Sequence, residues 1–339
     1  MVILAAAFAM ALLLALVLVP PGIRVAWSVG YLDHPEARKL HTSATALLGG
    51  VIVFISAFTS WLVVQGSRAG SGGNEALFLI AGAVIALLLG LWDDRFGMQP
   101  PVKLIGQAAA GAALLASGRV PDLGLPVPLE VLISLIVLVA LMNAVNFLDN
   151  MNGMVGGLAA ITLAAFAWHS AARGAIGLAA AQLALAGACL GFLRYNYPRA
   201  RIFLGDAGSL LLGYSLGASA VLAWVAAPHG WGRAGPALML AYPAFDFLFV
   251  VINRIREGRK IYVGGQDHSN HRLSKVLRWP RLTVPILWAS GAALCASGLA
   301  VLKLNQPAAT LLLSVPWMIL LCWAGVRLSS VPARPPQRP

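Results

Sequence analysis

Apolar runs of near-membrane length recur along the chain, separated by short polar stretches. Eleven are readable, at about 2–19, 47–65, 76–92, 101–118, 129–147, 153–172, 175–193, 208–227, 234–252, 283–301 and 307–326. A helix needs roughly 20 apolar residues to cross the hydrocarbon core, and runs of that length predict helices rather than strands. The pattern predicts an all-α integral membrane protein of about eleven transmembrane helices, or ten if one run fails to cross. The runs at 101–118 and 153–172 are rich in Gly and Ala, which weakens their hydropathy but suits close helix packing in lipid. One membrane domain is expected over 1–330, with a Pro/Arg tail at 331–339 expected to be disordered. The first run lacks a basic leader and a small-x-small cleavage site, so it reads as a retained helix rather than a signal peptide.

Composition agrees: 59% of residues are hydrophobic and only 11% charged. No soluble domain is readable, so nucleic-acid binding is not expected despite the net charge of +12. Cys189, Cys295 and Cys322 lie inside apolar runs and read as small hydrophobes. Threading eleven spans puts all Lys and Arg except Arg68, Arg119, Arg173, Arg233 and Lys303 on one side. Basic loops stay cytoplasmic, which predicts the N-terminus outside and the C-terminus inside. The same side collects Asp33, Glu36, Asp93, Asp94, Asp149, Asp206, Asp246, Glu257 and Asp267. Carboxylates are costly near lipid, so their gathering at one face predicts an active site there.

Asp93 and Asp94 close an apolar run. Adjacent carboxylates repel unless a cation is near, and oxygen ligands suit Mg2+ bound with phosphates; the pair also fits a solvated helix end. Asn143, Asn146 and Asp149, at i, i+3 and i+6, form a stripe on one helix face. In an otherwise apolar helix, that stripe must face a cavity or a neighbouring helix. Asp206 sits in Phe203-Leu-Gly-Asp-Ala-Gly-Ser209 at a helix start, where it is either a cap or part of an anion site. The loop from Asn253 to Arg281 is densely basic and carries Asp267-His268-Ser-Asn-His271. Paired His there can bind metal, take a proton or hold a phosphate. Arg38, Lys39 and His41 in the first inner loop are either phosphate contacts or positive-inside anchors.

Taken in order, these motifs resemble the polyprenyl-phosphate N-acetylhexosamine-1-phosphate transferase family. The resemblance rests on Asp33-x-Pro35-x-x-Arg38-Lys39-x-His41 with Gly49-Gly50, and on Asp93-Asp94 with Lys103 and Gln107. It continues through Asn143-x-x-Asn146-x-x-Asp149, Phe203-x-Gly205-Asp206-x-Gly208-Ser209, Pro243-x-x-Asp246 and the His-containing loop. The chain departs from the family pattern at Ala46, usually Pro, at Asn150 and Asn152, usually Gly and Asp, and at Asn270, usually His. The peptidoglycan lipid I branch carries three consecutive His in that loop, so the resemblance is to the amino-sugar-phosphate branch, with phospho-N-acetylmuramoyl-pentapeptide transferase as the alternative.

The resemblance implies a bacterial inner-membrane enzyme working at the cytoplasmic face. It implies transfer of an N-acetylhexosamine-1-phosphate, by default from UDP-N-acetylglucosamine, to undecaprenyl phosphate, releasing UMP. Mg2+, or Mn2+ in its place, is the implied cofactor, and a homodimer is the implied assembly. Asp149 is expected as main metal ligand with Asp93 or Asp94, the other of that pair taking a proton. Asn143, Asn146, Asp206 and Asp246 are expected to bind or position substrate. Arg38, Lys39, His41, Lys103, His268 and His271 are expected to hold phosphates. An intramembrane prenyltransferase would need Asn-x-x-x-Asp, and the residues four beyond Asn143 and Asn146 are Phe147 and Asn150. A transporter would place its polar groups near mid-membrane, whereas here they lie at span ends.

Overall fold

The computed structural model describes residues 1–35, 43–66 and 74–333. They fold into thirteen α-helices, two short 3-10 turns and one two-stranded ribbon. Nine of the described helices are long and apolar enough to cross a membrane. They are α1 (Val2–Ser28), α2 (Gly49–Gly66), α3 (Asn74–Phe96), α5 (Val127–Leu148), α6 (Met154–Ala172), α7 (Ile176–Asn196), α8 (Gly205–Ala226), α12 (Thr283–Leu304) and α13 (Pro307–Ser329). A tenth arises if α9 (Gly235–Met239), with the turn before it, and α10 (Ala241–Arg256) make one crossing bent by 66°. The break has a local cause. Pro243 has no N–H, and its ring excludes the carbonyl four residues back, that of Met239, where α9 ends.

The expected eleventh span is α4 (Pro100–Leu115), opened by two prolines. Its 16 residues reach about 24 Å at 1.5 Å per residue, short of a roughly 30 Å core. Lys103 near its start nevertheless meets Asp93 near the end of α3 and Asn146 near the end of α5, so α4 carries the chain back between two helices that run the same way. The short helix α11 (Ser269–Val276) lies in the His-containing loop.

The described residues form two compact units. The first contains α1–α8 and the ribbon. Its centre is α8, which packs against α2, α3, α5 and α6; 72% of its apolar window is buried. Strand β1 (Leu32–Asp33) pairs antiparallel with β2 (Thr45–Ala46). The segment before α8 joins this ribbon: Phe203 donates its N–H to the Ala46 carbonyl at 2.8 Å, and Gly49 and Gly50 donate to Phe203 and Leu204. Three chain segments therefore fix where α8 begins. The second unit contains α9–α13, with α12 against α9 and α13.

Candidate active site

Helix α3 approaches the start of α8 through Gly90. A Cβ there would sit 2.3 Å from the Ala207 nitrogen and the Asp206 carbonyl oxygen, so only glycine permits this backbone contact. One turn on, at i+4, the same helix face carries Asp94. Its two oxygens accept the N–H groups of Asp206 (2.8 Å) and Ala207 (3.1 Å). Asp94 is thus an N-terminal cap for α8 delivered from another helix, satisfying donors that would otherwise have no partner. Gly205, at φ +71, makes the turn into α8 and leaves no side chain to strike Asp94.

Asp93 points to Lys103 of α4. The Lys103 ammonium lies 2.7 Å from Asp93 Oδ2, 2.5 Å from Asp206 Oδ2 and 3.3 Å from Asn146 Oδ1. The Asn146 amide donates to Asp206 Oδ1 and Ser209 Oγ, both at 2.8 Å. Helices α3, α4, α5 and α8 therefore converge on one polar knot. Asn143, one turn deeper, exchanges hydrogen bonds with buried Gln107 (2.7 and 3.4 Å) and donates to the Val139 carbonyl. Its amide ties α4 to α5.

Asp149 is different. It follows the last residue of α5, is half-buried, and accepts no side-chain hydrogen bond or ion pair among the described residues. Burial and the Asp206 charge push its carboxyl up to about 7. A carboxylate left in this condition attracts a cation or a proton.

The loop after Asp149 is held from behind by Asn196, which sequence reasoning passed over. Its Oδ1 accepts the Gly153 N–H at 2.6 Å while its Nδ2 donates to the Ile202 carbonyl at 2.9 Å. Asn152 adds a bond to the Pro198 carbonyl at 3.1 Å. The one clue in the sequence is an amide at a helix end just before proline.

The second unit holds its own cluster. Asp246 is fully buried. Its Oδ2 pairs with His268 Nδ1 at 2.8 Å, and its Oδ1 accepts both the N–H and the hydroxyl of Ser269. Asp267 accepts a bidentate pair from Arg254, 2.8 Å on each arm, and a second guanidinium from Arg259 at 3.0 Å. Burial alone would raise its carboxyl, but Arg254 and the neighbouring cations hold it at about 2. His271 is buried beside His268, and those two effects lower it to about 4. Arg272 donates Nε–H to the Asp267 carbonyl and Nη1–H to the carbonyls of Leu328, Ser329 and Val331, which end α13.

Among the predicted residues, Asp93, Asp94, Lys103, Asn146 and Asp206 are in direct contact, with Asp149 electrostatically linked to Asp206. Asp246, His268 and His271 form the second cluster. Arg38, Lys39 and His41 lie outside the described residues.

Comparison with known proteins gives a consistent picture. Residues 76–224 match the model of glycosyl transferase family 4. The chain is 30% identical over 300 residues to a Bacillus subtilis protein named as a probable undecaprenyl-phosphate N-acetylglucosaminyl 1-phosphate transferase, covering 84% of this chain and 81% of that one. It is 30% identical to a Mycobacterium tuberculosis decaprenyl-phosphate N-acetylglucosaminephosphotransferase, over 77% of this chain and 73% of that one. An Escherichia coli undecaprenyl-phosphate alpha-N-acetylglucosaminyl 1-phosphate transferase is 25% identical, over 81% and 77%.

Proposed function

The chain belongs to glycosyl transferase family 4, and from that premise we propose that it transfers N-acetylglucosamine-1-phosphate from UDP-N-acetylglucosamine to a polyprenyl phosphate in a bacterial membrane. The names of its relatives support the donor and the acceptor class. The observation that carries the reading in this chain is the knot of Asp93, Asp206 and Lys103 with Asp149 left unsatisfied beside it. Such a knot suits two anionic substrates, because it offers both a cation and places for one. The Lys and Arg asymmetry supports an outside N-terminus, an inside C-terminus and a cytoplasmic site.

In the reaction, an oxygen of the lipid phosphate attacks the β-phosphorus of the nucleotide sugar. The bond to the bridging oxygen breaks, and its electrons leave with UMP. A dianionic lipid phosphate attacks without any proton transfer.

A divalent metal is the family's implied cofactor, and the donor set fits Mg2+. Hard oxygen ligands are its preference, and the Lys103 ammonium already stands as a cation between Asp93 and Asp206. Asp93 and Asp206 would hold the ion through the oxygens that face Lys103, with Asn146 Oδ1 beside them. Asp149, linked to Asp206 through its charge, would be the further carboxylate drawn to it. When bound, Mg2+ offsets the charge of the donor's diphosphate. Asp94 has both oxygens on the backbone of α8, so its part is to fix where Asp206 stands. Asn146 orients Asp206 from the other side. In the second unit, Asp246 fixes the His268 ring through Nδ1, an arrangement suited to presenting an imidazole to an anionic group.

The test is UMP release by the purified protein with undecaprenyl phosphate, Mg2+ and a panel of UDP-sugars. UMP from UDP-N-acetylglucosamine, abolished by EDTA, is the expected result. UMP from the muramoyl-pentapeptide donor alone, or from none, overturns the reading.

A further inference from the structure

The Lys103 ammonium has three N–H bonds and three acceptors, one each from α3, α5 and α8. No donor is left over for a substrate. Two carboxylates and an amide oxygen from three helices around one charge make a cation's coordination shell, filled by the chain itself. We propose that Lys103 is the resident counter-ion of the Asp93–Asp206 pair and surrenders that place to the divalent cation, so that the metal enters with the nucleotide diphosphate rather than before it. The proposal rests on the metal reading above and adds an order of binding to it.

Two features support the exchange. Without a cation, Asp93 and Asp206 would face each other as like charges, and Lys103 removes that problem while the site waits. The ammonium sits on a flexible four-carbon stem, so it can withdraw without moving α4. The acceptors then set the order. A divalent ion alone would take all three oxygens from the ammonium and leave two cations side by side in a poorly solvated place, where like charges repel strongly. A diphosphate arriving with the ion brings negative charge to both and gives the displaced ammonium new acceptors.

Mn2+ binding, read by the loss of the free-ion EPR signal, tests this without turnover. Full-length protein in detergent is titrated with Mn2+ alone and with Mn2+ plus UDP. The wild type should bind Mn2+ at least about ten-fold more weakly without UDP, and Lys103→Met without UDP should bind at least about ten-fold more tightly than the wild type. Lys103→Gln serves the same comparison if Lys103→Met does not yield monodisperse protein, because its amide can still bond both carboxylates. Equal or weaker Mn2+ binding by the UDP-free variant, with the wild type binding normally, overturns the exchange and leaves the metal site standing. No Mn2+ bound by the wild type even with UDP removes the metal reading, and the exchange with it.

Discussion

Lys103 divides one ammonium between Asp93 and Asp206, whereas Asp267 draws on two guanidiniums, Arg254 in a bidentate pair and Arg259, which it shares with Glu257. In the first unit charge is under-compensated: Asp149 adds another carboxylate with no donor of its own among the described residues. In the second unit every buried acid has partners, Asp246 through His268 and Ser269, Asp267 through two arginines. Satisfied networks rigidify a structure. An unsatisfied carboxylate attracts a cation or a proton. On the function proposed above, the first cluster is a site and the second a scaffold, and removing one charge from each should have opposite signatures.

The largest effect belongs to Asp149. Asp149→Asn keeps the shape and removes the charge, so folding should be nearly unchanged while kcat for UMP release falls at least about a thousand-fold, on the order of 4 kcal/mol. Wild-type turnover from a folded Asp149→Asn protein would end the assignment. The mirror experiment is Asp267→Asn. It leaves Arg254 buried without its bidentate partner, and breaking such a pair costs about 3–5 kcal/mol. Thermal unfolding in detergent should show the loss. A variant as stable as wild type but inactive would mean that Asp267 belongs to a site, not a scaffold.

Much of the first knot was legible because its motifs carry charge where lipid allows little. Asp93, Asp149 and Asp206 stand out against apolar spans, and Asn146 falls on the Asp149 stripe by helical spacing. The division of labour was not legible. Asp93 and Asp94 are neighbours in sequence, yet one faces Lys103 and the other caps α8, a difference set by the approach of α3 at Gly90. Periodicity could not see that contact, because it depends on a glycine meeting the backbone of a helix more than a hundred residues away. The span count was legible to within the short α4 and the bend before Pro243. A hydropathy run records length of apolar sequence, not where proline or a helix start interrupts it. Arg254 and Arg272 read only as loop charges, since nothing local distinguishes a buried arginine from a solvated one.

The comparison can be sharpened by pH. His271 is neutral in the folded protein until pH falls to about 4, whereas an unfolded His titrates near 6.5. Its folded pKa is the lower of the two, so between those values the unfolded state binds the extra proton. Stability should therefore fall as pH drops from about 6.5 to about 4 and level off below, by on the order of 3 kcal/mol. His271→Asn should flatten that slope. A slope that persists in the variant would assign it to another group.

The smallest effect tests how far the scaffold reaches. Arg272 ties α11 to the end of α13 by three hydrogen bonds to backbone carbonyls, a fourth goes to the Asp267 carbonyl, and its guanidinium lies 5.2 Å from the centre of the Phe249 ring. A cation at a helix C-terminus is favourable on electrostatic grounds alone, so Arg272→Lys keeps that part. It loses the Nε bond and the planar fork that serves several acceptors at once, for about 1–2 kcal/mol. Hydrogen exchange is the discriminating readout. If Arg272 fastens the end of α13 to the His-containing loop, amides of α11 and of Arg327–Val331 should exchange faster together in the variant, while those of α8 beneath Asp94 stay protected. Faster exchange confined to the end of α13 would make Arg272 a terminal cap and leave Asp267 and Asp246 to hold the loop.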